Sequence, residues 1–287
     1  MALHKGIAAQ GRAARRRVES PQLKSQGWSL VTGASSGLGA EFARQLAAKG
    51  YNLILVARRE EKLREGAERL RQQYGVETRV YPFDLSESAA PDALMARVHA
   101  EGLTLKVAVN DAGIDVTGRF ITQEWDRLKS LINLNVMATA ALTKHFARHM
   151  QANGGGTLIN MSSLGGFFPI PYHAVYGGSK AFILSLTEAI AYEMRDSNVT
   201  FTTACPGLVQ TQMFVAAGMR QRRWRELAYY HQPEAVVRAV LRAAFSGKPH
   251  RIPGLFNKIM ALIGRITPRA FNTWYARELM REKEPYT

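Results

Sequence analysis

Tyr176 and Lys180 stand four residues apart, the spacing that sets two side chains on one face of a helix. A phenol with a pKa of about 10 is a poor acid–base catalyst at neutral pH, but an ammonium fixed beside it stabilises the phenolate and draws that pKa toward the working range. The pair by itself is a common surface pattern. Its weight comes from Ser163, thirteen residues ahead of Tyr176 and just past an apolar run that reads as a strand. A loop residue at that point faces the carboxyl edge of a parallel sheet, where its hydroxyl can hydrogen-bond a substrate carbonyl as charge develops on the oxygen. Ser162, one residue further from Tyr176, is read as a packing residue.

A second group of residues is suited to phosphate. The stretch Thr32-Gly33-Ala34-Ser35-Ser36-Gly37-Leu38-Gly39 lies between an apolar run and an amphipathic one. Glycines there let the chain turn tightly and bring backbone N–H groups and a helix N-terminus against a pyrophosphate. At the end of the next apolar run stands Ala57-Arg58-Arg59, without the carboxylate that holds an adenosine ribose in dinucleotide folds. Two guanidiniums at that point favour the 2′-phosphate of NADP(H), with Arg58, nearer the strand end, expected to matter more than Arg59. The competing reading makes both arginines a solvated helix start beside Glu60 and Glu61.

These groups need a scaffold that brings distant loops to one edge, and the pattern along the chain supplies it. Short apolar runs at 28–32, 52–57, 77–82, 106–110, 157–161, 200–204 and 251–253 alternate with helix-forming stretches at 40–49, 60–73, 91–101, 123–151, 177–195 and 233–244. That alternation predicts an α/β fold: one domain with a doubly wound parallel sheet of seven strands and helices on both faces. A chain of 287 residues, 46% hydrophobic and 21% charged, has ample material for one core and is not a disordered chain. Cys205 is the only cysteine, which excludes a disulfide scaffold and a cysteine-based metal cluster and points to a reducing, cytoplasmic setting. No run of 18 consecutive apolar residues occurs, so no transmembrane helix is expected.

The formal charge of +15 sits at the ends: residues 1–26 hold six basic side chains and one acidic, residues 214–287 fourteen and five, and the long middle is nearly balanced. A nucleic-acid enzyme would spread its basic residues over a binding face, so no nucleic-acid partner is expected. Residues 1–26 read as a basic flexible tail, with a mitochondrial presequence as the alternative. Residues 27–253 form the expected catalytic domain, 212–230 its substrate flap, and 254–287 an amphipathic, basic, helical C-terminal extension. In the flap Met213, Phe214, Val215, Met219 and Trp224 either line an apolar pocket with Phe167 and Phe168 or belong to the core. Arg220, Arg222, Arg223 and Arg225 either bind an anionic head group or acidic carrier protein or form a solvated face. Along 255–266, Leu255, Ile259, Leu262 or Ile263, and Ile266 share one face, with Asn257, Lys258, Ala261 and Arg265 opposite. Such a helix either lies on an anionic membrane or packs on its own domain or a partner subunit. His145, His149 and His173 have no partners at metal-ligand spacing, so no metal is expected and ordinary surface or supporting roles are assigned to them.

Over about residues 27–215 the chain resembles the short-chain dehydrogenases/reductases, the single-domain Rossmann-fold oxidoreductases. Gly33, Ser35, Ser36, Gly37, Leu38 and Gly39 fall in a segment similar to the family's cofactor glycine motif, and Asp84-Leu85 falls where the family contacts adenine. Asn110-Asp111-Ala112-Gly113 is similar to the family's Asn-Asn-Ala-Gly strand end, Asn135 sits where its catalytic Asn lies, and Ser163, Tyr176 and Lys180 keep its active-site spacing. Pro206-Gly207 through Val209 and Thr211 resembles the loop that touches nicotinamide. Asp111 departs from the pattern at a position where the family's amide bridges neighbouring strands. The resemblance implies that NADPH delivers hydride to a ketone carbon, that Tyr176 gives its proton to the oxygen and that Ser163 orients that oxygen. It further implies that Lys180 lowers the phenol pKa and holds the nicotinamide ribose, and that Asn135 holds a water relaying protons through Lys180. A homodimer or homotetramer through the helices at 123–151 and 177–195 is also implied. The expected function is an NADPH-dependent carbonyl reductase or alcohol dehydrogenase for a moderately apolar ketone or secondary alcohol, such as a 3-oxoacyl, steroid-like or hydroxyketone compound. The alternative is a non-catalytic dinucleotide-binding regulator or membrane-associated scaffold.

Overall fold

The computed structural model describes residues 26–209 and 231–280. The tail at 1–25, Thr211, the flap at 212–230 and the last seven residues lie outside the described residues.

Strands β1 (Trp28–Thr32) and β2 (Asn52–Ala57) are buried along nearly their whole length, as apolar strands covered on both faces must be. Strands β3 (Thr78–Pro82), β4 (Leu105–Asn110), β5 (Gly156–Met161), β6 (Val199–Ala204) and the two-residue β7 (His250–Arg251) complete a seven-stranded sheet in the order β3-β2-β1-β4-β5-β6-β7. Every neighbouring pair is parallel. The winding reverses between β1 and β4, and at such a switch point a crevice opens outside the carboxyl ends of the strands. Val31 pairs with Val109, Asn110 with Asn160 and Met161 with Ala204, so the loops after β1, β4, β5 and β6 leave the sheet at one level.

Helices α1 (Gly37–Ala47), α2 (Glu60–Tyr74) and α7 (Pro233–Phe245) cover one face, where Phe42, Leu46, Leu63 and Val237 meet Leu53, Leu55 and Val107. Helices α3 (Ala90–Ala100), α5 (Thr139–Ala152) and α6 (Ala174–Glu193) cover the other, where Leu94, Leu142, Phe146 and Ile190 meet Leu30, Ile54 and Leu158. Full burial of each such side chain contributes roughly 1.5–3 kcal/mol.

Four expected boundaries move, each for a local reason. The long helix at 123–151 is broken: α4 (Trp125–Ile132) passes through a π turn at Asn133–Ala138 before α5 begins. The widened turn lets the Asn135 side chain leave the helix surface and bond the chain after β4. Helix α6 starts at Ala174, so Tyr176 lies within its first turn. β7 stops at Arg251, two residues short of Pro253, which has no N–H to extend a ladder. The extension beyond 254 is two helices, α8 (Leu255–Ile266) and α9 (Arg269–Met280), because Thr267 is extended ahead of Pro268. At the other end, the Gln26 N–H already donates to the Gly50 carbonyl at 3.1 Å, so the last residue of the expected tail is tied to the domain.

Candidate active site

Gly33 at φ +70° and Gly37 at φ +60° give the turn between β1 and α1 its left-handed backbone, which side chains with a Cβ resist. Gly39 is required for a different reason: a Cβ there would lie 2.4 Å from the Gly33 carbonyl oxygen. Ser36 at the N-cap of α1 makes no side-chain cap, so N–H groups of the first turn remain for an anion. Arg59 Nη2 donates to the hydroxyls of Ser35 and Ser36, both at 2.9 Å, and so stands over this turn. Arg58 is instead drawn to Asp84, with Nη1 at 3.5 Å from Oδ2. The strand-end position had singled out Arg58; side-chain direction favours Arg59, whose guanidinium already faces two hydroxyls beside the phosphate turn. Asp84 also accepts from the Ser86 N–H and hydroxyl, while Leu85 and Leu38 pack into the two apolar layers. These groups fit a dinucleotide.

After β4, the Thr32 hydroxyl accepts from the N–H groups of Asp111 and Ala112, both at 3.0 Å, which fixes the start of the next loop against β1. Gly113 leaves room for its neighbours, since a Cβ there would lie 3.2 Å from Asn135 Oδ1 and 3.5 Å from Lys180 Nζ. Asn110 faces inward. Its amide donates to Asn160 Oδ1 at 2.9 Å and Thr143 Oγ1 at 3.3 Å, and Asn160 in turn donates to Thr187 at 2.9 Å. The Asn110 side chain therefore braces β4 against β5 and the covering helices rather than lining the crevice.

Tyr176, Ser163 and Lys180 do converge. The Gly165 N–H donates to Ser163 Oγ at 3.1 Å, and Ser163 stands beside the Tyr176 phenol, where its hydroxyl favours the ionised form. Burial pushes that phenol well above its ordinary pKa, the Asp115 carboxylate adds to the rise, and the Ser163 hydroxyl opposes it. Lys180 Nζ donates to the Met161 carbonyl at 2.8 Å and lies 5.6 Å from the Tyr176 ring centroid. Burial pushes the ammonium down to about 8, against the pull of Asp111 and Asp115. The lowering of the phenol pKa by Lys180, expected from their spacing, is thus not what the arrangement does: the ammonium is held by a backbone carbonyl, and desolvation of the phenol wins. Ser162 donates to the Lys180 carbonyl at 2.7 Å, a strut between β5 and α6. Asn135 is fully buried; its amide brackets the backbone of Ile114 at 3.0 and 2.9 Å and donates to Ser179 at 3.1 Å. Pro206 accepts from the Leu164 N–H at 2.8 Å, Val209 is buried, and Gly207 lies where a Cβ would meet Asn257 at 2.5 Å, so the loop after β6 is clamped between β5 and α8.

Asp115 escapes the sequence reading, while Asp111 and His173, read there as a departure from the family pattern and as a histidine of surface or supporting role, take positions that the sequence does not show. Asp111, at the departure from the family pattern, turns under the glycine turn, where the Gly39 N–H donates to its carboxyl. Burial holds that carboxyl up at about 7, although Lys180 and Gly39 pull it down. Asp115 Oδ2 and His173 Nδ1 sit 2.9 Å apart, both nearly buried, one helical turn before Tyr176. Their other polar atoms, Asp115 Oδ1 and His173 Nε2, have no hydrogen-bond partner among the described residues. Tyr172 at φ 68° supplies the bend that delivers His173. No motif announces this pair, because its members come from different loops. The remaining histidines are paired as well: His145 meets Asp92 at 2.8 Å, and His149 accepts from the Leu105 N–H at 3.1 Å and stacks on His99. Both lie at the amino end of β4, away from the crevice. Among the described residues no group of three His, Cys, Asp or Glu side chains is placed to hold a metal ion.

A glycine turn at the start of a helix and a phenol beside a lysine, facing the same switch-point crevice, fit a dinucleotide-dependent oxidoreductase. The chain is a member of the short chain dehydrogenase family, whose model matches residues 28–222. It is 36% identical over 188 residues to the 7beta-hydroxysteroid dehydrogenase of Collinsella aerofaciens, covering 63% of this chain and 71% of that one. To the very-long-chain 3-oxoacyl-CoA reductase of Pyricularia oryzae it is 34% identical over 221 residues, 76% of this chain but only 65% of the reductase. The solved structure of a short-chain dehydrogenase from Sphingobium yanoikuyae in complex with NADPH superposes with a TM-score of 0.75 at 28% identity, covering 90% of this chain and 98% of that one. The protein is accordingly an oxidoreductase of the kind that interconverts hydroxyl and keto groups.

Proposed function

We propose that the protein is an NADP(H)-dependent carbonyl reductase, or the same enzyme run as an alcohol dehydrogenase, for a moderately apolar ketone or secondary alcohol. The observation that carries this reading is the convergence of Ser163, Tyr176 and Lys180 at the crevice beside the glycine turn, with Ser163 held by the Gly165 N–H and Lys180 by the Met161 carbonyl. Gly33, Ser35, Ser36, Gly37 and Gly39 would hold the pyrophosphate and Arg59 the 2′-phosphate, with Asp84 and Leu85 toward the adenine and Pro206, Gly207 and Val209 toward the nicotinamide. Bound there, the reduced cofactor supplies hydride. Ser163 orients the substrate oxygen, and Tyr176 gives it a proton; a phenol whose pKa is raised by burial keeps that proton at neutral pH until charge develops on the carbonyl oxygen beside it. Lys180, held by the Met161 carbonyl, positions the ribose, and Asn135 acts as a positioning residue through Ile114 and Ser179.

Support for NADP(H) over NAD(H) comes from Arg59 over Ser35 and Ser36 and from the missing acid at the end of β2. The steroid and 3-oxoacyl substrates named for two relatives support an apolar ketone. Assembly as a homodimer or homotetramer fits Trp125, Met137, Phe182 and Tyr192, all exposed on α4, the π turn and α6. Oxidation of NADPH against a panel of steroid, 3-oxoacyl and hydroxyketone compounds tests the reading. Turnover with NADPH is expected; none with any ketone or alcohol and either cofactor would leave the dinucleotide-binding regulator.

A further inference from the structure

Helix α8 is turned the opposite way from a helix that packs by its apolar stripe. Leu255, Ile259, Leu262 and Ile266 recur at the spacing of one helical face, and they are 75%, 49%, 57% and 71% exposed. What α8 buries is Asn257 and Ala261. Asn257 explains the choice of face. Its amide donates to the Pro253 carbonyl at 2.7 Å and sits 3.1 Å from His231 Nε2, and it presses on Gly207 of the loop after β6. Another side of α8 faces α9 across a cavity, with Met260, Ile263 and Gly264 on one wall, Phe271, Asn272 and Tyr275 on the other, and Phe168 beside them. Asn272 pins that contact by donating to the Gly264 carbonyl at 3.2 Å and accepting from the Thr267 hydroxyl at 2.6 Å. The apolar stripe is therefore left over after two packing contacts are made, and nothing among the described residues covers it. Phe256 beside the stripe and Trp274 on α9 are exposed as well.

A contiguous apolar face of this kind marks an interaction surface, and the surrounding charge selects the partner. Lys258, Arg265, Arg269 and Arg277 stand in the helical pair against Glu278 alone, and Arg265 is shared with Glu188 at 3.5 Å. A second copy of the chain docked about a two-fold axis would set these cations against their own images. An anionic bilayer complements them, and Trp and Tyr are the side chains that settle at headgroup depth, with Phe and Leu on the immersed apolar face. At 12 residues α8 is too short to span a bilayer but long enough to lie in its surface with one face immersed. We propose that the exposed face of α8, with Trp274 of α9, is a docking surface that lays the protein on an anionic lipid bilayer. The proposal goes beyond the reaction assigned to the crevice and does not depend on it.

The test is co-sedimentation of the full chain with vesicles of phosphatidylcholine alone and of phosphatidylcholine with a third phosphatidylglycerol. Partitioning is expected to be about tenfold or more higher on the anionic vesicles and to fall toward the neutral level at about 1 M salt, where charges are screened within about 3 Å. Leu262→Ser with Trp274→Ser should lower partitioning by at least about tenfold while ketone turnover and the circular dichroism spectrum stay those of the wild type. Leu255→Ser with Ile266→Ser, at the two ends of the stripe, is the independent pair should the first fail to fold. Equal pelleting on both vesicles, no pelleting, or pelleting unchanged in the variants overturns the proposal. Concentration-dependent self-association abolished by the same variants would assign the face to a second copy instead.

Discussion

At the carboxyl ends of β4 and β5 the protein buries polar groups: Asn110, Asn135, Asn160, Thr143, Thr187 and Lys180 are all nearly or wholly inaccessible. Along α8 it does the reverse, hiding Asn257 and Ala261 while Leu255, Leu262 and Ile266 face outward. Both choices cost stability, and both are held in place by hydrogen bonds to backbone or amide groups that a sequence pattern does not display. The polar interior is tolerable because nearly every donor in it has a partner, and such networks fix one geometry. The apolar exterior has no such compensation inside the chain. Buried polarity at a crevice therefore points inward, to chemistry, whereas exposed apolarity points outward, to a surface that completes it.

The sharpest way to break the chemical side is Tyr176→Phe, which removes the proton donor and leaves the phosphate turn. kcat should fall by about 10² to 10⁴ while NADPH still binds, as read by steady-state rates and cofactor fluorescence. A variant retaining more than about a tenth of wild-type turnover would show that Tyr176 is not the acid. Next comes Asp111, whose carboxyl is held at about 7 in the fold against 3.8 for a free one. Between those values the unfolded chain ionises while the folded one keeps its proton, so stability falls as pH rises from about 4 to about 7. Asp111→Asn should lose that fall, seen as a difference between the two profiles of melting temperature against pH. Parallel profiles would mean the carboxyl is not buried uncompensated beneath the turn.

Smaller effects separate the regions further. Asn160→Ala takes one buried hydrogen-bond partner each from Asn110, Thr143 and Thr187, and should cost roughly 1–3 kcal/mol in denaturant melts. Arg59→Ala should reduce the preference for NADPH over NADH in kcat/KM by about tenfold, and Arg58→Ala by less, because Arg59 faces Ser35 and Ser36 while Arg58 is drawn to Asp84. A larger loss from Arg58→Ala would restore the strand-end position as the contact. The smallest change belongs to the helical pair: Leu262→Ala should alter stability by no more than about 0.5 kcal/mol, since its side chain is more than half exposed. A substantially larger loss would mean that the face is covered after all.

The alternation of apolar runs and helix formers determined the seven parallel strands and their helices, because a buried strand and an amphipathic helix each write their period into adjacent residues. Spacing likewise determined that Ser163, Tyr176 and Lys180 belong together, since one lies just past a strand end and the others sit one turn apart on a helix. What those side chains do to one another was decided only in the folded chain. Lys180 bonds Met161 rather than the phenol, Arg59 rather than Arg58 turns over the phosphate turn, Asp111 is pressed beneath it, and Asp115 meets His173 across 58 residues of sequence. The π turn at Asn135 and the outward face of α8 fall in the same class. Each is set by contacts between residues far apart in the chain, hydrogen bonds to Ile114 in one case and, in the other, a hydrogen bond to His231 with close packing on Gly207, and desolvation and partner geometry at such contacts leave no periodic trace in sequence.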